Sequence, residues 1–203
     1  MTESLQRPSL PAKALEQLFL NARTYNEWCD TSVKESLIHD LYDLMKWGPT
    51  SANCCPARFV WVQSQAGKEK LAALAMDSNR AKILAAPLTV IIGYDEHFAD
   101  KLPKLLPADF VERMQQMFKM PGVAEITAIR NSSLQGAYLM IGARALGLDC
   151  GPMSGFDNAL VDKAFFANTN VRSNFICSLG YGKANTPYPR NPRLSFEEAC
   201  RFA

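Results

Sequence analysis

The segment from Val123 to Phe156 constrains this chain more than any other. It reads as one long helix running straight into a turn, Gly151-Pro152-Met153-Ser154-Gly155-Phe156. From Leu134 to Leu148 apolar residues fall on every side of the projected helix, the pattern of a helix surrounded by protein. Its first half carries Glu125, Thr127, Arg130, Asn131, Ser132, Ser133 and Gln135, so that end is expected to meet water, a partner or a ligand. Gly147 suits the left-handed position just past a helix C-terminus. About 25 residues at roughly 1.5 Å each make a rod that crosses a small domain.

The remaining elements arrange themselves around this rod. Residues 13–22 read as a helix with Leu15, Leu18 and Phe19 on one side. Ser32 and Glu35 have capping-box spacing for the next helix, whose stripe is Val33, Leu37, Leu41, Leu44 and Met45 and which Gly48-Pro49 ends. Residues 49–58 form a tight loop, and Phe59–Val62 a short strand. Residues 68–76 are helical, and Leu88–Gly93 is an apolar run with the character of a strand buried on both faces. Residues 95–122, broken by Pro103, Pro107 and Pro121, read as a lid or excursion holding one amphipathic helix between Leu105 and Met120. Asp157 caps a helix through Phe166, and Phe175–Leu179 is a further interior strand. Residues 185–193 carry three prolines and are expected to be extended. They open a C-terminal arm, 185–203, in which Ser195 and Glu198 cap a short helix. Few strands among long helical stretches place the chain in the α+β class, as one domain over residues 1–203.

Composition excludes several functions. A net charge of +2 on 203 residues gives no footprint for nucleic acid or an anionic membrane. The longest uncharged run, Asn131 to Ala143, is too short to span a bilayer, and the N-terminus lacks a signal-peptide pattern. The six cysteines show no CxxC pair, so free thiols in a reducing, cytoplasmic setting are expected. Only His39 and His97 are present, with no zinc spacing. Phosphate-loop and dinucleotide fingerprints are missing. The turn at Gly151–Gly155 misses a nucleophile elbow, its serine standing one place late. Cys54 and Cys55 have no partner base in sequence and read as structural.

Such a chain can still be an enzyme if a bound cofactor carries the chemistry. Arg23 and Arg193 have the donor fork that grips phosphate. Thr24, Thr50 and Ser51 offer hydroxyls, and Gly155 lets backbone approach a flat ring closely. The plain alternatives are surface charges and an ordinary loop.

Three segments, WGPTSANCCPARF, RNSSLQGAYLMIGARALGLDCGPMSGFD and NPRLSFEEA, together resemble the FMN-dependent nitroreductase family. The branch most resembled contains malonic semialdehyde reductase of bacterial pyrimidine utilisation. The resemblance covers Leu15 to Phe202 and implies an α+β sandwich, its sheet flanked by helices, in an intertwined homodimer with FMN at the interface. Arg23, Thr24 and Asn26 then match the N-terminal motif holding the FMN phosphate and the pyrimidine edge of the flavin. Thr50, Ser51 and Asn53 match a loop supplied by the other subunit. Asn79 and Lys82 match a polar pair on the flavin or ribityl chain, Ser154 and Gly155 the backbone facing flavin N5, and Arg193 the C-terminal phosphate arginine. Asn26 stands where many relatives have a cation beside flavin N1 and O2, and Ser154 where typical nitroreductases have Glu. Both departures favour the semialdehyde branch.

The implied mechanism is ping-pong. NADPH or NADH reduces N5, the oxidised nicotinamide leaves, and an acceptor enters the same face. For malonic semialdehyde the product is 3-hydroxypropionate, with Arg58 and Arg130 as candidate carboxylate partners or structural ion pairs. The family's alternative is a nitroaromatic or quinone reductase. Other classes are a flavin-binding protein without turnover and a helical interaction protein.

Overall fold

The computed structural model describes residues 7–184 and 188–203. Its centre is a four-stranded antiparallel sheet in the order β1-β2-β4-β3, with β1 at Ala57–Val62, β2 at Leu88–Asp95, β3 at Asp149–Met153 and β4 at Val171–Gly180. The apolar run expected to be a doubly buried strand is β2, and it pairs with a neighbour on each side. Successive side chains of a strand point to opposite faces. Leu88, Val90 and Ile92 therefore enter one apolar cluster with Leu41, Met45, Leu139 and Ala143, while Ile91 enters a second with Leu71, Ile83 and Val161. Helices α2 (Glu35–Met45) and α7 (Val123–Ala145) supply the first face, and α3 (Gln65–Ala73), α4 (Asp77–Ala85) and α8 (Asn158–Phe165) the second. The result is a sandwich with helices on both faces of the sheet.

Several local expectations hold. Gly147 takes φ +81° just past α7. The Asp157 carboxylate accepts from Leu160 N at 3.0 Å, and Ser195 and Glu198 form the full capping box of α9 (Phe196–Ala199). Others are corrected. The segment expected to be a turn begins as β3, because Asp149–Met153 pairs with Met153-facing Ile176 through Gly180 on β4. Pro152 has no N–H to give, yet an edge strand tolerates it. The Ser32–Glu35 capping box does not form: α2 starts at Glu35 with Lys34 as its cap and no side-chain bond. Ile38, not Leu37 or Leu44, completes its buried stripe with Leu41 and Met45. The first helix is α1 (Ala12–Leu15) followed by a π turn at Glu16–Leu20, and Phe19 and Leu20 remain exposed. The excursion holds α5 (Leu102–Leu105) as well as the expected α6 (Ala108–Phe118), and it has a small core of its own. There Phe98 meets Phe118 edge-on at 4.9 Å beside Cys54 and Ala128. The extended run expected at 185–193 lies partly outside the described residues; 188–194 form no regular element.

The largest correction concerns α7 itself. Its 23 residues span roughly 34 Å at about 1.5 Å each. The face turned to its own chain is mostly small and polar, with Thr127, Ala128, Asn131, Ser132, Gln135, Gly136, Gly142 and Ala143, and Leu139 is its one large apolar side chain. Of the polar half expected to meet water, a partner or a ligand, Thr127, Asn131, Ser132 and Gln135 are buried while Glu125, Arg130 and Ser133 are exposed; two of the buried side chains satisfy backbone groups at the loop before β1. Asn131 Oδ1 accepts from Ser51 N at 2.8 Å, and Gln135 Oε1 from Ala57 N at 2.9 Å. At Gly136 the Phe175 ring lies where a side chain would begin. Leu134 and Tyr138, expected to be surrounded by protein, are exposed on the single chain, as are Ile126 and Ile129.

Candidate functional site

The β3 edge of the sheet gathers the expected residues in two groups. The first surrounds a cavity of about 490 Å³ lined by Arg23, Thr24, Asn26 and Arg193, together with Arg144 and Arg190. Thr24 bridges to Cys150, and Tyr25 N donates to Cys150 O at 3.0 Å, so pairing with β3 fixes this segment. Arg23 Nη2 donates to Tyr188 O at 2.6 Å, and Arg190 Nη2 to Leu20 O at 2.6 Å and Ala22 O at 2.9 Å. Arg144, in the last turn of α7, donates to Leu18 O at 3.1 Å. These bonds tie the chain's start, its C-terminal segment and the end of α7 around one hollow. No carboxylate lines it, and none of the four arginines is ion-paired among the described residues. Four unpaired guanidinium groups around one cavity make a strong attraction for an oxyanion.

The second group stands further along β3. Asn79 Nδ2 donates to Gly155 O at 3.1 Å, Met76 N to the same oxygen at 3.0 Å, and Lys82 Nζ to Asn79 Oδ1 at 3.3 Å. A Cβ on Gly155 would lie 2.7 Å from Asn79 Nδ2, so only glycine fits here without displacing Asn79. Ser154 is exposed beside it. Ser154 stands four positions after Cys150, roughly 13 Å at the rise of a strand. One edge therefore carries the arginine cavity near one end and the Asn79–Gly155 group near the other.

Thr50, Ser51 and Asn53 are not brought to either group. Their loop is pinned to Asn131 of α7, thirteen residues before Arg144, roughly 20 Å along the helix. The loop is held in an unusual shape, with positive φ at Ala52, Asn53 and Cys55. Sequence reasoning missed Arg144 and Arg190. Their signals were a cation in the last turn of a helix and a second arginine in the PRNPR run.

Of the two candidate carboxylate partners, Arg58 is occupied. Its Nη2 lies 2.6 Å from Asp95 Oδ2, and Nη1 donates to Cys55 O and Ala57 O. Asp95 also accepts from His97 N at 2.9 Å. Asp95→Ala is expected to cost about 1–3 kcal/mol by stripping these bonds from a half-buried guanidinium; urea unfolding measures it, and an unchanged midpoint would show that the pair contributes nothing. Arg130 is exposed.

The cysteines read as structural thiols. All six are free. Burial pushes the Cys54 thiol up to about 11, with the neighbouring Cys55 adding to it. Cys177 is raised by its hydrogen bond with Cys150 and by burial. The same bond lowers Cys150, whose protection is burial alone. Because the reagent must reach a thiolate, iodoacetamide at about pH 8 is expected to label exposed Cys29 and Cys200 and spare buried Cys54, Cys150 and Cys177, as read by peptide mass mapping. Rapid labelling of Cys54 would contradict its burial. Among the described residues no cluster suits a metal, and no helix is long and apolar enough to cross a membrane.

Fold and site together define an α+β sandwich with an arginine-lined cavity at the β3 edge of its sheet. The nitroreductase family model matches residues 7–181, and the chain belongs to that family. A protein of Caulobacter sp. (strain K31), provisionally named NADH dehydrogenase/NAD(P)H nitroreductase, is 57% identical over 193 residues, covering 95% of this chain and 98% of that protein. The similarly named HadB of Ralstonia pickettii is 51% identical, over 94% of this chain and 97% of that one. Among solved structures, a provisionally named nitroreductase from Exiguobacterium sibiricum 255-15, in complex with FMN, superposes with a TM-score of 0.84 at 20% identity, over 93% of this chain and 97% of that chain.

Proposed function

We propose that this protein is an FMN-dependent NAD(P)H oxidoreductase. The observation that carries the reading is the four-arginine cavity without a carboxylate, linked along β3 to the Asn79–Gly155 group. Its residues fit FMN: Arg23 and Arg193 would take the phosphate, with Thr24 and Asn26 beside them and Arg144 and Arg190 bracing the wall. The backbone at Gly155, fixed by Asn79 and Met76, would be the surface against the flat ring, and Lys82 is the cation this group offers in place of the one missing at Asn26. Ser154 stands exposed at the same point. FMN, when bound, supplies the hydride relay between a nicotinamide and an acceptor. The chain's own part is to hold the phosphate, keep the ring's edge against fixed backbone and balance negative charge. The names of the relatives, NADH dehydrogenase/NAD(P)H nitroreductase, support NADPH or NADH as donor.

A homodimer completes the reading. The outward face of α7 carries Ile126, Ile129, Leu134 and Tyr138, and the Tyr138 ring packs on Gly48 next to Trp47, which is 80% exposed. Several large apolar side chains exposed along one helix mark an interface. A second copy would cover it and could bring Thr50, Ser51 and Asn53 to the cavity they cannot reach within one chain.

For the acceptor we propose malonic semialdehyde, on the strength of the sequence resemblance and of Asn26 and Ser154. The relatives' names favour the alternative, a nitroaromatic or quinone acceptor. Anaerobic purified protein should be yellow and bleach on NADPH or NADH. Colourless protein would end the cofactor reading, and yellow protein that does not bleach would leave a binding protein only. Stopped-flow reoxidation by malonic semialdehyde, against a nitroaromatic and a quinone, then decides the acceptor: reoxidation by the last two alone sinks the aldehyde.

A further inference from the structure

Residues 74–76, just before α4, lie against residues 155–157. Ala75 bridges to Phe156, Met76 N donates to Gly155 O at 3.0 Å, and Asp157 N donates to Leu74 O at 2.9 Å. Met76 also caps α4, and its carbonyl accepts from Asn79 N at 2.8 Å. Its backbone is therefore held on both sides. Its side chain is 62% exposed, which leaves the thioether open to small solutes. Met76 Sδ lies 3.1 Å from the point where a Cβ on Gly155 would stand, and Asn79 Nδ2 lies 2.7 Å from the same point. Thioether and amide thus flank one patch of backbone, the patch that in the oxidoreductase reading lies against the flat ring. The other exposed methionine among the described residues is Met120, at 52%, which follows α6 in the excursion. Met45, at 1%, is enclosed in the core.

We propose that Met76 is a site of oxidative modification by hydrogen peroxide, and that its sulfoxide loosens the seat of the flavin. The peroxide O–O bond breaks, one oxygen atom goes to the sulfur lone pair, and water leaves; the thioether is oxidised by two electrons and the peroxide reduced by two. The change turns an apolar, pliable side chain into a polar one. The new oxygen is an acceptor beside Asn79 Nδ2, the donor that now holds Gly155 O at 3.1 Å. It draws that amide away from Gly155 and removes the sulfur from the ring's edge. A methionine sulfoxide reductase reverses the change. The flavin consequence rests on the oxidoreductase reading; the modification itself does not.

Purified holoprotein treated with peroxide, then analysed by peptide mass mapping and flavin titration, tests both parts. One added oxygen is expected on Met76 and on Met120, with Met45 spared. Flavin affinity falls about two- to tenfold, the worth of a lost sulfur–aromatic contact, while the circular dichroism spectrum stays the same. Met76→Leu keeps the apolar bulk without the sulfur, so its affinity, whatever its starting value, does not respond to peroxide. Met120→Leu responds as wild type does. Sulfoxide reductase restores the affinity, whereas dithiothreitol alone, which reverses sulfenic acids and disulfides at exposed Cys29 and Cys200, does not. A Met76 that resists a dose converting Met120 would overturn the proposal, and so would an equal loss of affinity in Met76→Leu. Untreated protein that takes up no FMN ends the cofactor reading instead; the mass of the Met76 peptide then decides the modification by itself, and the flavin consequence falls with that reading.

Discussion

Protein carrying Arg23→Ala and Arg193→Ala is expected to emerge from purification without flavin. Each guanidinium would lose charge-assisted bonds to a phosphate, worth about 1.5–3 kcal/mol apiece, so FMN affinity falls roughly 10²- to 10⁴-fold. Titration of the apoprotein followed by flavin fluorescence measures this. Arg193 is the cleaner of the two sites, because its own bonds reach only Asn191 O and Pro192 O, one and two residues away. Arg23 also holds Tyr188 O, so its loss loosens the C-terminal segment as well. Lysine at position 193 keeps the charge but not the planar fork and should recover only part of the affinity. Arg190→Ala is informative in another way. Its Nη2 braces Leu20 O and Ala22 O, so it should weaken FMN by widening the cavity. Full retention of flavin by the double variant would remove the phosphate site from this cavity.

The second large effect is on stability. Leu139 is fully buried among Leu41, Met45, Val90 and Leu179, where α7 crosses the sheet. Leu139→Ala is expected to cost about 2–5 kcal/mol, the range for a cavity that its surroundings cannot refill, read as a lowered urea midpoint. Leu134, five residues earlier on the same helix, is 45% exposed. In an isolated chain Leu134→Ala would change stability by about 0.5 kcal/mol or less. If a second copy covers this face, the same change weakens the dimer and makes the unfolding midpoint depend on protein concentration. The pair of variants therefore measures the inner and outer faces of one helix separately. A Leu139→Ala protein as stable as wild type would mean that α7 does not pack as described.

The resemblance placed Arg23 and Arg193 at one phosphate, and the structure brings both to one cavity although 170 positions separate them. It likewise brings Asn79, Lys82 and Gly155 together. Neither grouping was legible from spacing alone, since no local rule connects residues so far apart. Arg144 and Arg190 joined the cavity unannounced, because a helix-end arginine and a tail arginine look like surface charges until two other segments fold against them.

By itself the sequence determined what depends on neighbours within about one helical turn or on strand alternation. That covers the apolar run of β2, the length of α7, the Asp157 and Ser195 caps and the left-handed stop at Gly147. Only the tertiary structure decided which way α7 faces. With apolar residues all round, its projection has no preferred side. The choice fell to Asn131 and Gln135, which satisfy Ser51 N and Ala57 N, and to Gly136, which admits the Phe175 ring. It decided β3 for a similar reason: Gly151 and Pro152 have poor strand propensity, and pairing with β4 outweighs it at an edge. It also overrode Ser32, whose capping chemistry went unused once α2 began three residues later. Local propensities are worth tenths of a kcal/mol to about one, whereas burying a strand or satisfying a buried amide is worth more. Where the two disagree, packing prevails.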